Sequence, residues 1–127
     1  MTAIDEIVGA YGAAWQEADD AKRRRLLEIA WSEDGVYQDP TADVSGREAL
    51  VQHIAGFQKR LPGSTIMITS GADHHHGNFH FLWKMVGPQG QTVLEGRDFG
   101  ELDRDGRIRH IVGFFGPPPR LPAAGGR

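Results

Sequence analysis

The residue best placed for acid–base chemistry is Asp39, which closes the stretch Trp31 to Pro40, WSEDGVYQDP. Pro40 has no amide proton to donate and confines the residue before it to extended geometry, so a strand must stop at Asp39. A carboxylate at the rim of an apolar segment can serve as a general base, and it can equally be an ordinary turn residue. Histidines form a second cluster, with His74, His75 and His76 following Asp73 and His80 four residues beyond. His-x-His on a strand can hold a divalent cation when a carboxylate completes the set. Here the ligands crowd a turn and no ligand from another element is evident, so no metal site is assigned and the favoured reading is a polar hairpin end. His53 and His75 are instead candidate pocket residues. His53 falls on the apolar face of a helix, where it can be either a core histidine or part of a cavity wall. The basic run Lys22-Arg23-Arg24-Arg25 points around most of a helix and reads as a solvated face with its stems covering apolar surface, not as a phosphate site.

These residues belong to a chain of 127 residues, 39% hydrophobic and 24% charged, which is the size and composition of one folded domain with room for a pocket. A net charge of −3 gives no global field for nucleic acid or an anionic membrane. With no cysteine, disulfides, zinc–thiolate sites and thiol nucleophiles are excluded. The first residues carry acids and no long apolar run, and no segment approaches the ~20 apolar residues that span a bilayer. The expectation is a soluble cytoplasmic protein. Phosphate-binding glycine loops, nucleophile elbows and cofactor fingerprints are absent, so no cofactor is assigned.

The elements that must position the chemistry follow from periodicity. Ile4, Ile7, Val8, Tyr11, Ala14, Trp15 and Ala18 recur at helical spacing, with Thr2 and Asp5 able to cap the start. A second helix is predicted from Ala21 to about Trp31, and a short strand from Val36 to Asp39. After a turn, Ser45-Gly46-Arg47-Glu48 has the capping-box pattern and opens a third helix carrying Leu50, His53, Ile54 and Phe57 on one face, ending near Leu61-Pro62-Gly63. From Ser64 the period becomes two. Strands are predicted at Thr65 to Ser70, Asn78 to Val86, Thr92 to Leu102 and Ile108 to Phe115. Gly96 and Gly100 suggest bends or bulges. Helices followed by a meander of strands predict an α+β domain over 1–116, with a Pro/Gly-rich tail at 117–127.

The order and spacing of W-S-E-D-G-V-Y-Q-D-P, S-G-R-E-A-L and D-F-G-E-L-D-R-D-G-R-I resemble the nuclear transport factor 2-like superfamily, in its SnoaL-like and ketosteroid-isomerase-like branch. The resemblance runs from about Ile4 to Gly116. It implies a cone-shaped α+β barrel, a curved antiparallel sheet with the three N-terminal helices packed on its concave face. It puts Asp39 in the place of the general base of ketosteroid isomerases, Asp98 in that of the protonated oxyanion donor, Tyr11 in that of the oxyanion tyrosine, and Phe115 at a pocket aromatic; that enzyme is the standard worked case of a carboxylic acid kept neutral by an apolar site. Trp31 and Ile54 stand where that branch carries supporting tyrosines. Homodimerisation through the exposed face of the sheet is also implied, and the apolar face of Phe79, Phe81, Trp83 and Met85 fits either that interface or the core.

Two acids around an apolar interior raise each other's pKa, by desolvation and by like charge. One ionised and one neutral carboxylate make a usable pair for enolisation, cyclisation or epoxide opening. Helical spacing adds Trp15 as a pocket residue. The resulting expectation is a pocket for a small apolar ligand bearing a carbonyl or epoxide, with Asp39 as base and Asp98 as acid or oxyanion donor. The alternative is a non-catalytic ligand-binding or dimerisation module built on the same cavity.

Overall fold

The computed structural model describes residues 2–123. Helix α1 spans Ala3–Gln16 and opens on the capping box foreseen from Thr2 and Asp5. It buries Ile4, Val8, Tyr11, Ala14 and Trp15 along one stripe. Helix α2 spans Asp20–Ala30, with the Asp19 side chain accepting from the amide of Lys22. Helix α3 spans Arg47–Arg60 and buries Leu50, Val51, Ile54 and Phe57.

The strands are β1 (Trp31–Asp39), β2 (Ala42–Ser45), β3 (Thr65–Ile68), β4 (Asp73–His75), β5 (Asn78–Val86), β6 (Thr92–Leu102) and β7 (Ile108–Phe115). They form one sheet in the order β2-β1-β7-β6-β5-β3, with β4 also pairing with β5. This is the cone expected from the sequence, three N-terminal helices against a strongly curled sheet. The sheet is mixed, however, because β7 returns beside β1 in the parallel sense while every other pair is antiparallel. Among the described residues no helix is long and apolar enough to cross a membrane.

Several local expectations are corrected. Trp31 begins β1 instead of ending α2: its amide closes the last helical turn on the Leu27 carbonyl while its own backbone is already extended. The segment read as a turn after Pro40 contains strand β2. Ser45 does not cap α3; the N-cap is Gly46 at φ +96°, with no side-chain bond, and Glu48 is held by Arg24. Arg23 is not part of a solvated face. It is 0% exposed, and its guanidinium donates to Asp20, the Glu17 carbonyl and Gln58, tying α2 to α1 and α3.

The pairing runs through Gly96 and Gly100 without a register shift, so neither is a bulge. The register shifts of β6 lie instead at Met85/Val86 and Glu101/Leu102. A Cβ at Gly96 would sit 2.1 Å from the Trp83 ring, and one at Gly100 would sit 2.2 Å from the Phe79 ring. Both glycines leave bare backbone on which a neighbouring aromatic lies. Phe79, Phe81 and Trp83 are therefore core, with Met85 against them, and that face is not a dimer surface. The opposite face of the sheet exposes Leu82, Phe99 and Phe114. Residues 117–123 carry no regular structure, and the rest of the expected tail, 124–127, lies outside the described residues.

Candidate active site

Strand alternation directs Tyr37 and Asp39 to the same side of β1, toward the helices. The parallel register pairs Gln38 with Val112, which sets Asp39 beside Gly113 of β7. Gly113 in turn faces Asp98 of β6, and Asp98 faces Phe81 of β5. One row across the sheet therefore reads Asp39, Gly113, Asp98, Phe81. The two acids stand two strand spacings apart, about 10 Å between backbones. The interval is bare: a Cβ at Gly113 would lie 2.9 Å from Asp98 Oδ1 and 3.5 Å from Asp39 Cβ.

Above this row lies a cavity of about 300 Å³ between the sheet and helices α1 and α3. That is the lower end of the size range of small-molecule pockets. Tyr11, Trp15, Asp39, His53, Asp98 and Phe115 all line it. His75 does not. It is exposed on β4, a three-residue strand off the main path of the sheet, with its Nδ1 3.1 Å from Nδ1 of His76. Among the described residues, no three His, Cys, Asp or Glu side chains converge as a metal site.

The two carboxylates have different surroundings. Asp39 is half-buried; its Oδ1 accepts from the Thr41 amide at 2.7 Å and the Thr41 hydroxyl at 2.8 Å, and its Oδ2 accepts from the Tyr37 hydroxyl at 2.6 Å. Each carboxylate oxygen has two lone pairs, so Oδ2 retains one for a further proton. Asp98 is 5% exposed, and Oδ1 accepts from the Trp83 indole N–H at 2.9 Å. Burial pushes its carboxyl up to about 7, the Trp83 hydrogen bond opposes this, and the Asp39 charge adds to it. Below about pH 7, Asp98 is thus mainly protonated and can act as a donor.

The phenols are donors too. Burial and the nearby Asp98 charge hold Tyr11 well above the ordinary tyrosine range. Burial does the same to Tyr37, reinforced by Tyr11 and by the bond to Asp39. Tyr11 is stacked on Trp31, with ring centroids 5.6 Å apart, so the aromatic at the position of a supporting tyrosine orients Tyr11 by its face and not by a hydrogen bond. Burial lowers the His53 imidazole, which packs against Tyr37 at 5.3 Å and Trp15 at 5.9 Å between centroids. Phe115 meets Trp83 edge-on at 5.8 Å.

Three residues that the sequence reading did not single out, Tyr37, Thr41 and Trp83, are in direct contact with the acids. Tyr37 had a usable signal, since it lies two residues before Asp39 and must share its face. Trp83 had none, because its contact with Asp98 depends on the register between β5 and β6.

The SnoaL-like domain family matches residues 8–111 of the chain. A solved structure of a candidate isomerase of the SnoaL-like family from Agrobacterium tumefaciens is 32% identical, with a TM-score of 0.85, covering 92% of this chain and 100% of that one. A protein of unknown function with a cystatin-like fold from Methylobium petroleophilum shares 22% identity at a TM-score of 0.74, covering 93% of this chain and 78% of that one. A candidate SnoaL-like polyketide cyclase from Jannaschia shares 15% identity at a TM-score of 0.65, covering 87% and 85%. The last two show likeness of fold alone. No curated protein matches.

Proposed function

Since the chain belongs to the SnoaL-like domain family, we propose that it is a cofactor-independent proton-transfer enzyme, an isomerase or cyclase acting on a small, mainly apolar carbonyl compound. Supporting this reading is one observation: an acid that accepts three hydrogen bonds and a buried acid raised to about 7 share one apolar cavity. The 32%-identical relative is itself described as a candidate isomerase.

In this scheme, Asp39 removes a proton from the carbon next to the carbonyl through the open lone pair of Oδ2. The C–H electron pair becomes the C=C bond of an enol, and the carbonyl π pair moves onto oxygen. Asp98 donates its proton, or a short hydrogen bond, to that oxygen, with Tyr11 as a second donor. Where a C=C is conjugated with the enol, return of the proton from Asp39 to the far carbon of that dienol re-forms the carbonyl, gives Asp98 back its proton and shifts the double bond. Alternatively, attack of the enol carbon on a second carbonyl forms the ring C–C bond and re-forms the first carbonyl. Asp98 then recovers its proton, and the proton held by Asp39 goes to the new alkoxide. Preorganised donors of this kind in a water-poor site each contribute roughly 10²–10³ in rate.

The test uses 2-tetralone, a neutral ketone with acidic α-hydrogens, in D₂O. The wild type accelerates deuterium uptake over buffer, and Asp39→Asn abolishes the acceleration without unfolding the chain. No acceleration by folded wild type, with 2-tetralone still bound, would sink the catalytic reading and leave a ligand-binding module.

A second copy covering the outer face of the sheet belongs to the same proposal. Leu82, Arg97 and Phe114 lie in one row there, next to His80, Phe99 and Val112. Light scattering should give the mass of two chains; the mass of one chain at micromolar concentration counts against it.

A further inference from the structure

We propose that the ligand carries a carboxylate, and that Arg60 at the cavity mouth receives it. This rests on the cavity being a small-molecule site, but not on the proton transfer assigned to it. Helix α3 turns His53, Phe57 and Arg60 to the cavity at positions i, i+4 and i+7. His53 stands beside Tyr37, whose hydroxyl is bonded to Asp39. Arg60 is exposed at the end of the helix and is, among the described residues, the only lysine or arginine lining the cavity. Seven residues at 1.5 Å each place it about 10 Å farther along the helix than His53.

Arg60 is also uncommitted. Among the described residues the ion pairs are Arg23 with Asp20, Arg24 with Glu48, and Arg109 with Glu101, and none uses Arg60. Its guanidinium lies back along the helix over Gly56, where a Cβ would approach Nη1 to 3.2 Å.

The rest of the wall dictates which end of a ligand can be anionic. The Asp39 carboxylate would repel a second carboxylate placed over the sheet, whereas Arg60 supplies a fork of donors matched to one. A ligand with its carbonyl over Asp98 and Tyr11 and its carboxylate on Arg60 satisfies both ends. The substrate class is accordingly an apolar keto acid.

The probes are 6-phenylhexanoate and its neutral isostere 6-phenylhexanamide, each titrated against the fluorescence of Trp15 and Trp83 in the cavity wall. The wild type should prefer the acid by about tenfold at low ionic strength, with the preference falling as salt is added. Arg60→Gln should bring the two probes to within about twofold of one another. Equal affinity in the wild type, no binding of either probe, or a preference that survives Arg60→Gln would each overturn the proposal. Deuterium uptake into 2-tetralone, which has no anionic group, reports separately on the proton transfer. Failure of that exchange with the acid preference intact would leave this inference standing.

Discussion

Replacing Asp98 by asparagine isolates the ionisation on which the reading of the site depends. Burial moves this carboxyl from its ordinary 3.8 to about 7. Between those values the folded chain keeps a proton that the unfolded chain has lost, so raising the pH favours unfolding. The stability contributed by the neutral acid is complete below about pH 4 and is lost by the time the pH has passed about 7. Three units at 1.36 kcal/mol each give an upper figure of about 4 kcal/mol over the whole window, of which the two units between pH 5 and 7 account for about 3 kcal/mol. With Asp98 at 5% exposure, solvent screening takes little from this. Asparagine does not titrate, yet its carbonyl can still accept from the Trp83 indole and its amide can stand in for the carboxylic O–H. Urea unfolding of both proteins at pH 5 and pH 8 is the assay. The difference between them should move by about 2–3 kcal/mol in favour of Asp98→Asn on going to pH 8. Groups such as Glu48 and Asp103, held below the ordinary carboxylate range, act with the opposite sign but cancel between the two proteins. A difference that stays constant within about 0.5 kcal/mol would mean that Asp98 is ionised throughout, and the neutral donor would be refuted. Proton exchange by the wild type should likewise fall as the pH rises through about 7.

Tyr37→Phe keeps the ring packed against His53 and Trp15 but removes the donor to Asp39 Oδ2. It should cost about 1 kcal/mol in urea unfolding and alter the low-pH limb of the 2-tetralone exchange profile, whereas an unchanged profile would make the tyrosine structural only. Gly113→Ala puts a methyl between the carboxylates, 2.9 Å from Asp98 Oδ1. The folded variant should lose the Trp83–Asp98 bond, seen as a shift of the Trp83 indole N–H resonance, and most of its exchange activity; full activity would place the reacting atoms elsewhere.

What the sequence discloses and what it hides divide along the range of the interaction. Strand β5 has the bounds read from its alternation and β7 those read from the hairpin turn before it and the Gly-Pro stretch after it. Strands β2 and β4, of four and three residues, are too short for a period to register. The histidine run shows the same limit. Its spacing is conspicuous, but β4 pairs only with the end of β5 and nothing covers it, so His75 points to solvent. Arg23 fails for the reverse reason. Four basic residues in a row look alike in sequence, and only the meeting of Glu17, Asp20 and Gln58 from three segments decides which one is buried.

The pairing of Asp39 with Asp98 was legible through the family resemblance, but the residue that stands between them was not. Their relation rests on β1 lying parallel to β7, a contact between residues about seventy positions apart, with Gly113 as the connecting residue. Glycine is the residue whose meaning sequence conveys least, since it reports that a side chain is missing without saying what uses the space. At Gly96 and Gly100 aromatic rings fill the gap. At Gly113 the space is bordered by Asp98 Oδ1 on one side and Asp39 on the other. Of these three glycines, Gly113 is the one bordered by both acids instead of by a ring, so a carbonyl bound as proposed would lie over it.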